Sequence, residues 1–307
     1  MNKVHLNLIQ NWIWKLIRGF LLAGICFIIL YPLFINFSTS LMSQRDLFDH
    51  TVVWVPRSMN ILNILSRYLE VAELMEYPTA FLNSFLLAGS VGLVQLVSCT
   101  IVGYGFARFE FRGRGFFFAL VIFTLLVPPQ MITIPLFLNF RFFDLFGLLP
   151  EGGFNLIGTY WPFILISLTG VGFRNGLFIY IARQHFRNMP NSLEEAAYID
   201  GAGQIKTFYK IMLPGAVPVL VVIFLFSFVW QWNDIFFTST FLRERSTLLP
   251  FTLRRLQGNY DIGSREWEFL SVIRHTGILL FLAPLLFIYI ILQRYFIESV
   301  ERTGIVG

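Results

Sequence analysis

Charge is scarce in this sequence. Only 13% of its 307 residues are Asp, Glu, Lys or Arg, against roughly 25% in an ordinary soluble domain, and 56% are hydrophobic. A soluble globule has no means of hiding that much apolar surface. There are just two cysteines. Cys26 and Cys99 each lie inside an apolar run, with no C-x-x-C and no His at ligand spacing, so a disulfide framework and a metal centre both lack their residues; the two read as small buried hydrophobes. No Gly is followed by Lys anywhere. The G-x-x-x-x-G-K-[ST] loop that cradles nucleotide phosphates is therefore missing, and the chain cannot drive itself as a P-loop ATPase. Ser, His and Asp show no triad-like grouping, so no catalytic residue is assigned and the chain reads as a non-enzyme.

What is abundant is long apolar runs. Windows with almost no charge run from Ile17 to Phe37, Thr79 to Gly105, Phe116 to Phe140, Leu156 to Val171, Gly215 to Phe241 and Thr276 to Leu292. A helix rising 1.5 Å per residue needs about 20 residues to cross a 30 Å hydrocarbon core, so these runs predict an all-α polytopic membrane protein of about six spans. The basic start (Lys3, Lys15, Arg18) resembles a secretory signal, but the run behind it is long, lacks an A-x-A-like end and is followed by more spans; it reads as an anchor that stays. The net charge of +5 falls mostly in loops, where membrane orientation and lipid head groups account for it; no nucleic-acid partner is expected.

Loop charge predicts the orientation. Arg108, Arg112 and Arg114 follow the second run, and Arg183, Arg187, Lys206 and Lys210 follow the fourth. The alternate loops are neutral or acidic. The positive-inside rule places both termini in the cytoplasm, against the Arg-rich 243–274 loop, which would then lie outside. Several runs also carry internal helix breakers: Pro128, Pro129 and Pro135, Gly170 and Gly172, and Pro218. Breaks at membrane depth are tolerated where protein or a watery cavity satisfies the freed backbone, which fits a transport path, although Pro and Gly are frequent in membrane helices generally.

The most patterned polar stretch is Arg183 to Pro214. Ser192 stands three residues before Glu195, the spacing of a capping box, which predicts a helix start near Leu193. That helix carries the small pair Ala196 and Ala197 and runs into Gly201, a residue able to take the left-handed conformation of a helix C-terminus. Ile205, Phe208, Tyr209 and Met212 then follow at near-helical spacing up to Pro214, which is expected to close the segment. The expected object is a helix-turn-helix on the cytoplasmic face.

Glu195-Ala196-Ala197, three residues, Gly201, nine residues, then Ile211-Met212-Leu213-Pro214 resembles the E-A-A-x(3)-G-x(9)-I-x-L-P motif of permease subunits of binding-protein-dependent ABC importers. Further segments resemble the second permease of maltose-type carbohydrate importers: Asn83-Ser84, Tyr104-Gly105-Phe106-Ala107-Arg108-Phe109, Pro128-Pro129-Gln130, Trp232-Asn233-Asp234 and Gln293-Arg294-Tyr295-Phe296. The likeness covers Thr79 to the C-terminus, so residues 1–78 read as an anchor with an extracytoplasmic loop, and 79–307 as a permease core with its motif loop at 190–214. The 41–77 loop matches no pattern, and Arg274 and His275 open the last run where small apolar residues are expected. The resemblance implies that Glu194, Glu195, Ala196, Ala197, Asp200, Gly201, Leu213 and Pro214 form a coupling element for a separate ATPase dimer, which brings the ATP and Mg; no cofactor belongs to this chain. It further implies a homologous permease as heterodimer partner, an extracytoplasmic solute-binding protein and residence in the bacterial cytoplasmic membrane.

For a solute path, Trp230, Gln231, Trp232, Asn233 and Asp234 form a polar-aromatic cluster late in the fifth run. Aromatic faces with amides and a carboxylate suit a sugar, which offers apolar C–H faces and a belt of hydroxyls; aromatic residues also anchor span ends, and that reading stays open. Asn83, Gln95, Gln130 and Asn139 are lesser candidates, since single polar residues often join helices. An ion-coupled carrier or channel without an ATPase is the alternative; the lack of charges in the span centres speaks against it.

Overall fold

The computed structural model describes residues 3–49, 51–52, 54–144, 153–170, 172–242, 246–256 and 265–304, with side chains placed outside the ends of the first and last helices. In chain order the helices are α1 (Lys3–Leu41), α2 (Gln44–Phe48), α3 (Ile61–Leu74), α4 (Tyr77–Arg108), α5 (Arg114–Leu126), a 3-10 turn (Pro129–Ile132), α6 (Thr133–Arg141), α7 (Trp161–Leu168), α8 (Asn175–Asn188) and α9 (Ser192–Ile199). Then come α10 (Gln204–Thr207), a π-turn (Phe208–Met212), α11 (Leu213–Gly215), α12 (Val217–Trp232), α13 (Phe236–Leu242), α14 (Leu249–Arg255) and α15 (Arg265–Gly304). Among the described residues the only β pairing is one bridge between Phe143 and Phe154.

Among the described residues three helices are long and apolar enough to cross a membrane: Gln10–Leu41, Tyr77–Arg108 and Leu270–Tyr295. Two further runs fold as bent pairs, which brings the number up to five where each pair counts as one broken span. Arg114–Leu126 and Pro129–Arg141 meet at 96°, so the run from Phe116 to Phe140 is no straight span. Its cause is Pro128-Pro129, since a proline forces the residue before it out of helical conformation, and Val127 is extended at ψ 117°. Likewise Gln204–Gly215 and Val217–Trp232 meet at 76°, and α12 stops at Trp232, short of the expected Phe241. The run from Leu156 to Val171 folds differently again. It holds only the eight-residue α7, which rises about 12 Å, because Gly158 and Gly170 take left-handed backbone at φ 91° and 71°.

The chain forms two compact units, Met1–Met75 with Leu253–Leu282, and Glu76–Thr252 with Ala283–Gly307. In the first, Val71, Met75, Leu256, Val272 and Ile273 are buried. Arg67, also buried, donates from Nη1 to the carbonyls of Ser40 at 2.9 Å and Met42 at 2.8 Å, tying α3 to the end of α1. Among the described residues, none in the apolar window of α1 is buried. Cys26 is therefore exposed, contrary to the expectation of burial, while Cys99 is buried.

The second unit is organised on α4. Its seam with α8 is close because Gly103 has no side chain: a Cβ there would lie 2.6 Å from the Cβ of Ala182. Cys99, Tyr104, Phe178, Ile179, Ala182, Phe186, Met212 and Ile223 form one buried cluster along this seam. A second cluster, with Leu87, Phe140, Phe163, Phe237 and Phe241, packs aromatic edges on faces, as in the 5.7 Å contact of Phe140 with Phe241.

Candidate functional site

Two features of the second unit bring the sequence-predicted residues together. One is the elbow from Met189 to Gly215. α9 begins one residue earlier than expected, at Ser192, and the predicted capping box does not form: Asn191 is already helical at φ −63° and ψ −28°, with no side-chain cap. The reason lies outside the segment. Arg108 donates to the side chain of Asn191 and, at 2.6 Å, to the carbonyl of Met189, holding the incoming chain so that Ser192 falls inside the first turn.

The helix end behaves as its glycine predicts. Gly201 sits at φ 76°, its N–H donates to Tyr198 O at 3.0 Å and that of Ala202 to Ala197 O at 2.9 Å. This is the double bond of a Schellman stop, which satisfies carbonyls that a helix terminus would otherwise orphan. The second arm runs through α10, the π-turn and α11. Pro214 does not close it; the helical turns continue to Gly215 and the bend falls at Ala216.

The elbow has a distinct outer face. Ile199 and Ile205 are each 85% exposed and Tyr209 69%, and Glu195, Ala196, Asp200, Gly201 and Pro214 are exposed with them. Ala197 and Glu194 point inward and Leu213 is half-buried. Glu194 thus parts from the other predicted coupling residues. Its carboxylate accepts from Tyr104 Oη at 2.7 Å and pairs with Arg108 Nε at 3.3 Å.

The other feature is a cavity of about 520 Å³ where α4, α5, α7 and α12 converge, within the roughly 300–1,000 Å³ usual for small-molecule sites. Gln130, Trp230, Gln231, Asn233 and Asp234 line it, together with Gln95, Ser227 and Arg174. The break after α12 is what turns these side chains inward. Asp234 accepts from the amide N–H groups of Phe237 and Thr238, the latter at 2.7 Å, and so satisfies free donors at the start of α13. Gln95 is fixed by donation to Phe173 O at 3.2 Å and by a bond from the Ser227 hydroxyl.

Trp232 and Asn83 do not reach the cavity. Trp232 is only 1% exposed and packs on Phe228 and Phe81 at 5.5 and 6.2 Å. Asn83 donates to Thr247 O at 2.9 Å. Asn139 is exposed on α6 and stands apart as well. Arg174, absent from the sequence-based candidates, lies with its guanidinium 4.1 Å over the Trp230 ring and near enough to Asp234 for their charges to interact. An Arg just past an apolar run reads as a loop charge; here it stands at the start of α8 with left-handed backbone, φ 68°.

Comparison with known proteins supplies the family. The family described as the binding-protein-dependent transport system inner membrane component matches residues 100–302. The probable ABC transporter permease protein YurM of Bacillus subtilis (strain 168) is 26% identical over 300 residues, covering 97% of this chain and 89% of that protein. The arabinooligosaccharides transport system permease protein AraQ of Halalkalibacterium halodurans is 28% identical over 301 residues, 96% of each. A chain from the crystal structure of a bacterial ABC transporter involved in the import of the acidic polysaccharide alginate shares the fold, with a TM-score of 0.72 at 23% identity over 94% of this chain and 98% of that one. The chain, then, belongs to the binding-protein-dependent transport system inner membrane components, as a multi-pass permease subunit of an ABC importer and not an enzyme.

Proposed function

We propose that this permease forms, with a homologous permease, the path of a sugar or sugar-like solute handed over by an extracytoplasmic binding protein, and that a separate ATPase dimer grips the elbow on the cytoplasmic side. The observation that supports this reading is the pairing, in one unit, of a polar-aromatic cavity with a stiff elbow whose apolar face is open. The name of AraQ, an arabinooligosaccharide permease, points to the same solute class. In the cavity, the Trp230 ring offers a face for sugar C–H groups, while the amides of Gln95, Gln130, Gln231 and Asn233 offer both donors and acceptors to hydroxyls. Arg174 over that ring and the half-compensating Asp234 supply charge without leaving a lone ion in an apolar setting.

Coupling follows from rigidity. A Schellman stop at Gly201 and a buried inner face give the elbow one pose. A partner that closes on binding ATP and Mg would then move the elbow as a unit and tilt the helices joined to it. The decisive experiment is reconstitution in vesicles of this chain with its partner permease, ATPase and binding protein. Uptake of a sugar only with ATP and the whole complex is expected. Uptake by this chain alone, driven by an ion gradient, would replace the proposal with a secondary carrier.

A further inference from the structure

Two adjacent glutamates in α9 point opposite ways. Glu195 is exposed, whereas the Glu194 side chain keeps only 11% of its surface and that of Arg108 8%. The inward carboxylate is engaged on both oxygens, one accepting from the Tyr104 hydroxyl at 2.7 Å and the other in an ion pair with Arg108 Nε at 3.3 Å, without a hydrogen bond between them. Arg108 spends its remaining nitrogens on Met189 O and the Asn191 side chain, both in the entry to α9. Tyr104 is itself wedged. Its ring meets Phe186 of α8 at 5.2 Å, Phe208 of the π-turn at 4.6 Å and Phe109 at 5.7 Å. One turn of α4 thereby touches the entry, the first helix and the second arm of the elbow.

We propose that Glu194 is a positioning residue and not a docking contact: with Tyr104 and Arg108 it locks α9 to the end of α4, so that any displacement of the elbow carries α4 and its close partner α8 with it. The inference rests on the reading that the elbow meets an ATPase, and it adds which helices receive the motion. The geometry explains why the Tyr104 to Phe109 segment and the E-A-A segment, some ninety positions apart in sequence, occur together: each supplies half of one lock. A buried charge pair suits the task because separating it leaves an uncompensated ion, so the joint resists opening under load. It does not need to add stability in order to fix one relative pose.

The test uses the assembled complex in vesicles and reads solute molecules imported per ATP hydrolysed, alongside the ATPase that co-purifies. Glu194→Ala is expected to retain the ATPase at the unmodified stoichiometry while the import-to-hydrolysis ratio falls at least about fivefold, the lower end of typical coupling between distant sites. Glu194→Gln keeps an acceptor for Tyr104 and should recover part of that loss. A residue that merely stabilised the fold would lower the yield of complex and leave the ratio unchanged. Loss of ATPase retention in Glu194→Ala, with the fold intact by thermal melting, would make Glu194 a docking contact and overturn the proposal.

Should Glu194→Ala fail to assemble, Tyr104→Phe removes a single hydroxyl and decides the matter. A reduced ratio supports the lock, and an unchanged ratio ends it. The parent reading is checked separately by Ile205→Asp on the exposed face. Persistence of ATPase binding in that variant would remove the docking role of the elbow whatever Glu194 does.

Discussion

The chain turns sharply at two polar elbows, and they are held by opposite means. The first, around α2, is built from its own neighbours. The Ser43 hydroxyl caps α2 at Asp46 N while the Asp46 carboxylate accepts from Ser43 N and Oγ, a closed capping box. The same carboxylate takes Arg57 N and the Ser58 hydroxyl, and Arg57 pairs with Asp49 at 2.8 Å. The second, around α9, has no side-chain cap, and its fixing groups come from α4, some eighty to ninety residues away. A local box makes a loop that holds its shape by itself. A remote lock makes an element that shares its position with a distant helix, which is what transmission of movement requires and what the first elbow lacks.

The comparison breaks most visibly at the seam on which the second elbow depends. Gly103→Leu places a branched side chain where even a Cβ would sit 2.6 Å from Ala182. Overpacking on that scale costs at least about 3 kcal/mol, so the variant should lose the folded second unit, with thermal unfolding in detergent well below that of the parent. Arg67 of α3 anchors the end of α1 just ahead of the first elbow, whose own box remains local. Arg67→Met keeps much of the volume but strands the carbonyls of Ser40 and Met42, at a cost of about 2–4 kcal/mol. Hydrogen exchange should show faster opening of the 40–58 region and unaltered protection of α9. Equal loosening of both elbows would contradict their independence. Smaller again is Gly201→Val. A β-branched residue at φ 76° costs about 1–2 kcal/mol, although nothing lies within 4 Å of the site. The expected result is lost ATPase retention with a melting temperature within a few degrees of the parent.

What the residues disclosed in advance follows the range of the forces involved. Apolar runs located α1, α4 and the middle of α15, since continuous hydrophobicity over about 20 residues has one structural outcome in lipid. Gly201 was legible because left-handed backbone favours glycine on local grounds. α8 was not. Its mix of Phe178, Ile179 and Phe186 with Arg183, His185 and Arg187 fails any hydropathy window, yet it is the helix that packs tightest on α4. Helix breaks are the other blind spot, because windows count apolar residues and ignore backbone geometry; hence the eight-residue α7 within a sixteen-residue run. Of the residues picked out for a solute path by type and resemblance, Trp230, Gln231, Asn233, Asp234 and Gln130 line the cavity. That Arg174 joins them while Trp232 packs on Phe228 and Phe81 was not legible, since which side of α12 meets α4 is settled by packing.

The smallest effect gives the sharpest contrast. Ser43 and Ser192 both stand three residues before an acid, but only Ser43 acts as a cap. Ser43→Ala should therefore cost about 1 kcal/mol, the usual worth of an N-cap, whereas Ser192→Ala, exposed inside a first turn, should fall within about 0.5 kcal/mol of the parent. Acid separates them further. Burial pushes the Asp46 carboxyl upward, but hydrogen bonds from Ser43, the Arg57 amide and Ser58 outweigh it and hold the group below the ordinary carboxylate range. A carboxyl depressed on folding contributes stability that is present above its unfolded pKa and lost as pH falls through its folded one, here below about pH 4. Removing the Ser43 hydroxyl takes away one of those bonds, so the first elbow of Ser43→Ala should open at a higher pH than the parent's, read from exchange of the Asp46 and Leu47 amides. Ser192→Ala should leave that acid transition where it was; an equal shift in both variants would show that the spacing alone, and not the fold around it, makes the cap.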